Sequence, residues 1–184
     1  MDRSIVDCAL AESFVALCEK KGVAAVTVRE VAAACGVSKQ TFYNHFRDKQ
    51  DLMNYLFERD VASAVGSFGQ GDLGMAAAEE VAARILGRMR AMKGYYTAIA
   101  AYQVQNGFSD SFTGVSRDFF TRALEERGHD PRAPHAARLI EFNCAGLNRL
   151  TFDWIRTGMG TRPEAFAAEL MRFVSPELRN LMGP

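Results

Sequence analysis

Proline is scarce, at five residues in 184, tryptophan occurs once, and there is no net charge, with 22 Lys plus Arg against 22 Asp plus Glu. That balance excludes a chain coated in cations for indiscriminate nucleic-acid binding, while leaving room for a local basic tip. There is no run of 18 apolar residues, so no membrane-spanning helix is expected. The first residues, MDRSIVDCALAESF, carry Asp2, Asp7 and Glu12 and no apolar stretch, so a secretion signal is not expected either. The four cysteines (Cys8, Cys18, Cys35, Cys144) never fall as CxxC. The histidines His45, His129 and His135 have no metal-ligand spacing to them or to one another. These absences argue against a zinc site and against a disulfide framework. They fit reduced thiols in a cytoplasmic protein, partly serving as small core hydrophobes, with a redox-sensing cysteine as the alternative. Catalytic signatures are missing as well: no nucleophile elbow and no P-loop. The expectation is a non-enzyme without cofactor or metal.

What is present is apolar content, 48% of the chain, arranged at helical spacing. Strand-like alternation never persists beyond four or five residues, so an all-α fold is expected. A first helix over residues 4–21 follows from Val6, Leu10, Phe14 and Leu17, which step along one face. A short second helix opens at Thr27, with Glu30 three residues later as in a capping box, and closes at Gly36. Ser38 can cap a third helix over 38–46, with Phe42 and Phe46 turned inward. A fourth runs from about residue 48 to 65 on Leu52, Met53, Leu56, Phe57, Val61 and Val65. The glycine-rich stretch SFGQGDLG, 67–74, is the best candidate boundary, giving domains 1–66 and 67–184. Six further helices are predicted over 75–93, 95–105, 109–127, 134–157, 163–174 and 176–182. Pro134 and Pro163 suit first-turn positions, where the missing N–H costs nothing.

The segment TVREVAAACGVSKQTFYNHF, 27–46, reads as two short helices joined by a tight glycine-containing turn, a helix-turn-helix. In such a unit the first helix braces the second, and the second shows polar side chains to the major groove near its N-terminus. Ser38, Lys39, Gln40 and Thr41 fit that need, with Asn44 on the same outer face; Tyr43, His45 and Lys49 are donors at the flank, where phosphates lie. Taken alone, His45 would more often be an ordinary histidine; its place after the third helix favours a phosphate contact. Residues 1–60 are not basic overall, with eight Lys plus Arg and nine Asp plus Glu. The cations Arg29, Lys39, Arg47 and Lys49 nevertheless gather at the tip.

These residues resemble the TetR-type bacterial transcription regulators. The signature is Thr27, Ala32, Gly36-Val37-Ser38, Thr41-Phe42-Tyr43, His45-Phe46, Lys49 and Leu52, and the likeness covers residues 4–60, a third of the chain. Within the family, TFYNHFRDKQDLMNYLF, AAYQVQNGFSDSF and GLNRLTFDWIRTGM are similar to the branch that includes the activator of dihydroxyacetone kinase operons. The resemblance implies an N-terminal three-helix DNA-binding domain and a C-terminal helical-bundle domain for regulation and dimerisation. Thr27 and Arg29 would start the bracing helix near phosphates, with Arg29 in reach of a base. Lys39, Gln40 and Thr41 would read base edges, and Tyr43, His45 and Lys49 would grip the backbone. The family often carries Gly or Pro where this chain has Gln40, which can pair bidentately with adenine, so the operator sequence stays open.

The implied function is a repressor binding double-stranded operator DNA as a homodimer. The alternatives are an activator controlled by a protein partner, and a helical interaction module without DNA binding. The dimer seam is expected on the helices 134–157 and 163–174, with Leu150 and Phe166 in it and Gly146 allowing close approach. The aromatics of the C-terminal half read either as plain core or as walls of an effector cavity of about 300 Å³ or more. For the second reading the candidates are Tyr95, Tyr102, Phe112 and Phe119 as walls, and Asn143 and Asn148, with Tyr102, Gln103 and Asn106, as orienting polar groups. Asn143 and Asn148 are equally satisfied by helix–helix hydrogen bonds. With no cluster of one charge sign, the expected effector is a largely apolar or aromatic small molecule.

Overall fold

A computed structural model describes residues 3–65, 73–102 and 107–183. Gln103, Asn106 and the expected boundary at 66/67 lie outside them. Among the described residues there are ten α-helices and one 3₁₀ turn, and no strand. The helices are α1 (Arg3–Lys21), α2 (Val28–Ala34), α3 (Lys39–His45), α4 (Lys49–Val65), α5 (Met75–Ala91), α6 (Lys93–Ala101), α7 (Gly107–Glu126), α8 (Pro134–Arg156), α9 (Pro163–Phe173) and α10 (Pro176–Met182). Every expected helix is present within a few residues of its expected ends. The 3₁₀ turn Val23–Ala25 had no expectation behind it.

Helix α1 buries Val6, Leu10, Ala11, Phe14 and Cys18, and packs on α2, α3, α4 and α6. The stripe finishes on Cys18, with Leu17 only half-buried. Burial pushes the Cys18 thiol up to about 12, and that of Cys144 likewise, so both stay protonated and inert near neutrality. All four cysteines are free.

Helix α4 spans both halves of the molecule, touching α1 at one end and α5 and α7 at the other. Its buried row of Leu52, Met53, Leu56 and Phe57 is interrupted by a buried carboxylate, Asp60. Tyr96 of α6 donates its hydroxyl to Asp60 Oδ2 at 2.8 Å, and Arg88 of α5 donates to Oδ1 at 3.1 Å. One carboxylate thereby ties α4, α5 and α6, with its charge compensated as burial requires. Asp60 belongs to no motif, and its only sequence signal is an acid at a core position of α4.

In the C-terminal half α9 lies along α5, while α8 packs on α6, α7, α9 and α10. Phe166 is buried and stacks on Trp154 at 5.1 Å with the rings 15° apart. It is therefore a core residue of the single chain, not the seam residue expected from the sequence. Leu150 is half-buried against the same core. The large apolar side chains that α8 and α9 leave exposed are Phe142, at 72%, and Phe173, at 60%.

Candidate nucleic-acid interface

The reading unit is built by local chemistry. Thr27 N-caps α2: its Oγ1 accepts from the Glu30 backbone N–H, and Glu30 Oε2 accepts from the Thr27 N–H at 2.9 Å, closing the expected capping box. Lys21 donates to Glu30 Oε1 at 2.6 Å. That bond, followed by those from Thr27, holds the Glu30 carboxyl down to about 2. At the other end of α2, Gly36 adopts φ +67°. Val37 N–H then reaches Ala32 O and Gly36 N–H reaches Ala33 O, the paired closure of a left-handed cap. A side chain at position 36 would strain this turn, which sets α3 against α2.

Ser38 caps α3, its Oγ accepting from Thr41 N–H at 2.9 Å. Phe42 and Phe46 point inward and are buried, as expected. Ser38, Lys39, Gln40, Tyr43 and Asn44 are exposed in one row, with Thr27 and Arg29 exposed beside them at the start of α2. Thr41 is half-buried, its hydroxyl 2.8 Å from that of Ser38. Gln40 donates to Asn44 Oδ1 at 3.1 Å, and Lys39 sits 5.7 Å over the Tyr43 ring. These are weak, exposed contacts, so the side chains are free to exchange them for base edges or phosphates at small cost.

Two of the expected backbone-gripping residues are engaged inside the protein. His45 is half-buried, and its Nδ1–H donates to the Asp7 carboxylate at 2.6 Å, joining the end of α3 to α1. Lys49 donates to Val23 O at 3.0 Å and to Val26 O at 2.7 Å, and its ammonium lies 5.6 Å from the centre of the Tyr102 ring. Neither points freely outward, because each has internal acceptors that a surface cation lacks.

The expected effector residues do not meet in one place. Phe112 and Phe119 line an apolar cavity of about 80 Å³ between α4, α5, α7, α8 and α9, which Phe57, Val81 and Ile85 complete. Asn148 lines a separate open cleft of about 800 Å³ between α6, α7 and α8, together with Thr97, Thr113, Arg149, Asp153 and Arg156. Tyr95 is in neither: it is fully buried against Phe14 of α1, edge to face at 6.1 Å. Tyr102 faces Lys49 instead. Asn143 is a structural clasp, donating to Leu139 O and Ser175 Oγ and accepting from Ser175 N–H at 2.7 Å. Its polar groups are satisfied by the turn that starts α10, the helix–helix alternative left open by the sequence.

Residues 15–56 match the model of the bacterial regulatory proteins of the tetR family, and residues 77–176 match that of a transcriptional regulator C-terminal region. The chain belongs to the TetR family of bacterial transcription regulators; it is a helix-turn-helix DNA-binding protein and not an enzyme. It is 53% identical over 34 residues to the HTH-type transcriptional regulator YerO of Bacillus subtilis, an overlap of 18% of this chain and 12% of that one. It is 33% identical over 54 residues to the HTH-type regulator SAB2452 of Staphylococcus aureus, 29% of each chain. The match thus spans 12% and 29% of the length of these relatives. Among solved structures it shares its fold with the dihydroxyacetone kinase operon activator DhaS (TM-score 0.67, 17% identity, 96% of this chain and 97% of that one). It shares it also with RolR in complex with resorcinol (TM-score 0.55, 18% identity, 98% and 94%). No helix among the described residues is long and apolar enough to cross a membrane.

Proposed function

We propose that this regulator is a homodimeric repressor that reads a palindromic operator with α3 and is released by a small-molecule effector bound among α6, α7 and α8. The observation that carries the reading is the exposed row Ser38, Lys39, Gln40, Tyr43 and Asn44 on a short helix whose opposite face is locked by buried Phe42 and Phe46. A helix held this way presents a fixed polar edge to a major groove. In this reading Gln40, Lys39 and Thr41 contact bases, and Thr27, Arg29, Ser38, Tyr43 and Asn44 contact phosphates. His45 acts by holding α3 against α1.

Two reading heads about 34–36 Å apart, or a multiple of that, require two copies. The seam we favour is the face of α8 and α9 that carries Phe142, Ala145, Gly146 and Phe173, because these are the two helices on which the seam is expected and Phe142 and Phe173 are the large apolar side chains they leave exposed, at 72% and 60%. A Cβ added at Gly146 would meet nothing within the chain, leaving that face open for a close neighbour.

Of the expected effector residues the cleft between α6, α7 and α8 holds Asn148, and its walls mix Ala100, Ala145 and Phe152 with Thr97, Asn148 and the pair Arg149 and Arg156 around Asp153. That chemistry suits a small molecule with an apolar face and a polar or anionic end rather than a wholly apolar one. The apolar cavity is too small for such a ligand as it stands. The test is a gel shift and footprint on the DNA upstream of the regulator's own gene. Two protected half-sites one helical turn or a multiple apart are expected, and no retention of that DNA at 100 mM salt would reject the reading.

A further inference from the structure

We infer that Lys49 is a positioning residue that couples the regulatory half to the reading head, rather than a phosphate contact. Lys49 opens α4, but its ammonium is turned back onto the segment that leads into the helix-turn-helix. It donates to Val23 O at 3.0 Å and to Val26 O at 2.7 Å, the first residue of the 3₁₀ turn and the residue that caps its far end. Val26 immediately precedes Thr27, whose capping box starts α2, so the lysine fixes the direction in which the bracing helix is launched. The remaining side of the ammonium is covered by the Tyr102 ring, 5.6 Å away. An ammonium has three donors; two carbonyls and a π face account for them, at the cost of the lysine's ordinary rotamer freedom.

Tyr102 follows directly on α6, and α6 is anchored at its other end to α1 and α4. Tyr95 packs on Phe14, Tyr96 bonds Asp60, and Gly94 lets Glu19 approach so closely that a Cβ there would lie 3.0 Å from its carboxylate. Helix α6 also forms one wall of the cleft between α6, α7 and α8. A shift of α6 therefore moves the ring that covers Lys49. If the ammonium follows the ring it strains or gives up a carbonyl, and if it stays it loses the ring that fixes it; either loosens the entry into α2. Coupling then passes through two contacts, Tyr102 to Lys49 and Lys49 to Val23 and Val26, with no movement required inside the helix-turn-helix itself.

The test compares the full-length chain with Lys49→Met, Tyr102→Leu and the double variant. Each binds a duplex selected from a random pool by the unaltered protein, from 50 to 200 mM salt, and amide exchange is followed over residues 22–28. The expected result for Lys49→Met is operator binding weakened about tenfold at every salt. The slope of log affinity on log salt should stay within about 0.3 of the parent value, since no phosphate contact is lost. Amides 22–28 should exchange about tenfold faster. Tyr102→Leu, on a residue of the regulatory half, should weaken binding about two- to fivefold and speed the same amides, with no further loss in the Lys49→Met background. A slope that falls by about 0.9 in Lys49→Met with those amides unchanged would make Lys49 a phosphate contact and overturn the inference. So would unaltered affinity in Lys49→Met, or effects of the two substitutions that simply add. If Lys49→Met fails to fold, Tyr102→Leu decides alone: faster exchange at 22–28 supports the coupling, unchanged exchange rejects it. Failure of the parent protein to select any duplex would instead count against the repressor reading, while leaving the exchange result to judge the coupling.

Discussion

Gln40 and Glu30 show how different two polar side chains of one small unit can be. Gln40 is exposed, bonded to Asn44, and is the member of the α3 row best suited to a bidentate pair with adenine. Gln40→Ala should therefore shift base preference at one operator position, by about 1–3 kcal/mol of discrimination, while leaving affinity for random DNA nearly unchanged. Competition between operator variants measures this, and a uniform loss over all sequences would instead make Gln40 a backbone contact. Glu30 is engaged by Lys21 and Thr27, which hold its carboxyl down to about 2. A carboxyl depressed on folding adds stability above its ordinary value, about 4.3, and that contribution is lost as pH falls through about 2. The capping box should accordingly persist through mildly acid solution. The side-chain carbon shift of Glu30 should titrate well below that of an exposed glutamate, and a midpoint near 4.3 would show that the box does not form.

Among the elements, the start of α10 depends on one side chain of α8. Asn143 makes three hydrogen bonds, two of them to Ser175, which itself N-caps α10 through Leu178 N–H. Asn143→Ala should leave the half-buried Ser175 N–H without its acceptor and cost about 1–3 kcal/mol. The thermal midpoint should fall by several degrees. Affinity for operator at a temperature where the variant is folded should be unchanged, as should any ligand response. A variant of normal stability with an altered ligand response would return Asn143 to the effector site. The sequence shows an asparagine in an apolar stripe; it does not show that the partner waits 32 residues further on.

The whole molecule poses the question of where two copies meet. Phe142 is 72% exposed and Phe166 8%, although both are phenylalanines on the two helices that the family resemblance marks for the seam. Phe142→Asp should leave the monomer folded, with an unchanged helical spectrum, and produce half the mass in sedimentation together with loss of operator binding. Phe166→Asp should unfold the chain itself. Losing its stack on Trp154 costs at least about 3–5 kcal/mol, with an unpaired buried charge in addition, against a total stability of about 5–15 kcal/mol. A Phe142→Asp protein that keeps the parent's mass and operator binding would move the seam elsewhere.

What the sequence determined by itself was whatever depends on neighbours a few residues away. The helix ends follow from Thr27 with Glu30, from Ser38, from Gly36, and from the prolines at 134 and 163. The exposed row of α3 follows from period alone once Phe42 and Phe46 are placed inside. The family signature, lying within some thirty residues of local spacing, was legible for the same reason. The tertiary structure decided the partners chosen across the chain. Lys49 went to Val23 and Val26, His45 to Asp7, Asn143 to Ser175, and the aromatics divided between a small apolar cavity, a polar cleft and plain core. A side chain's donors and apolar surface are written in its residue type, but which acceptor or neighbour lies within about 3–4 Å depends on how helices far apart in sequence pack together.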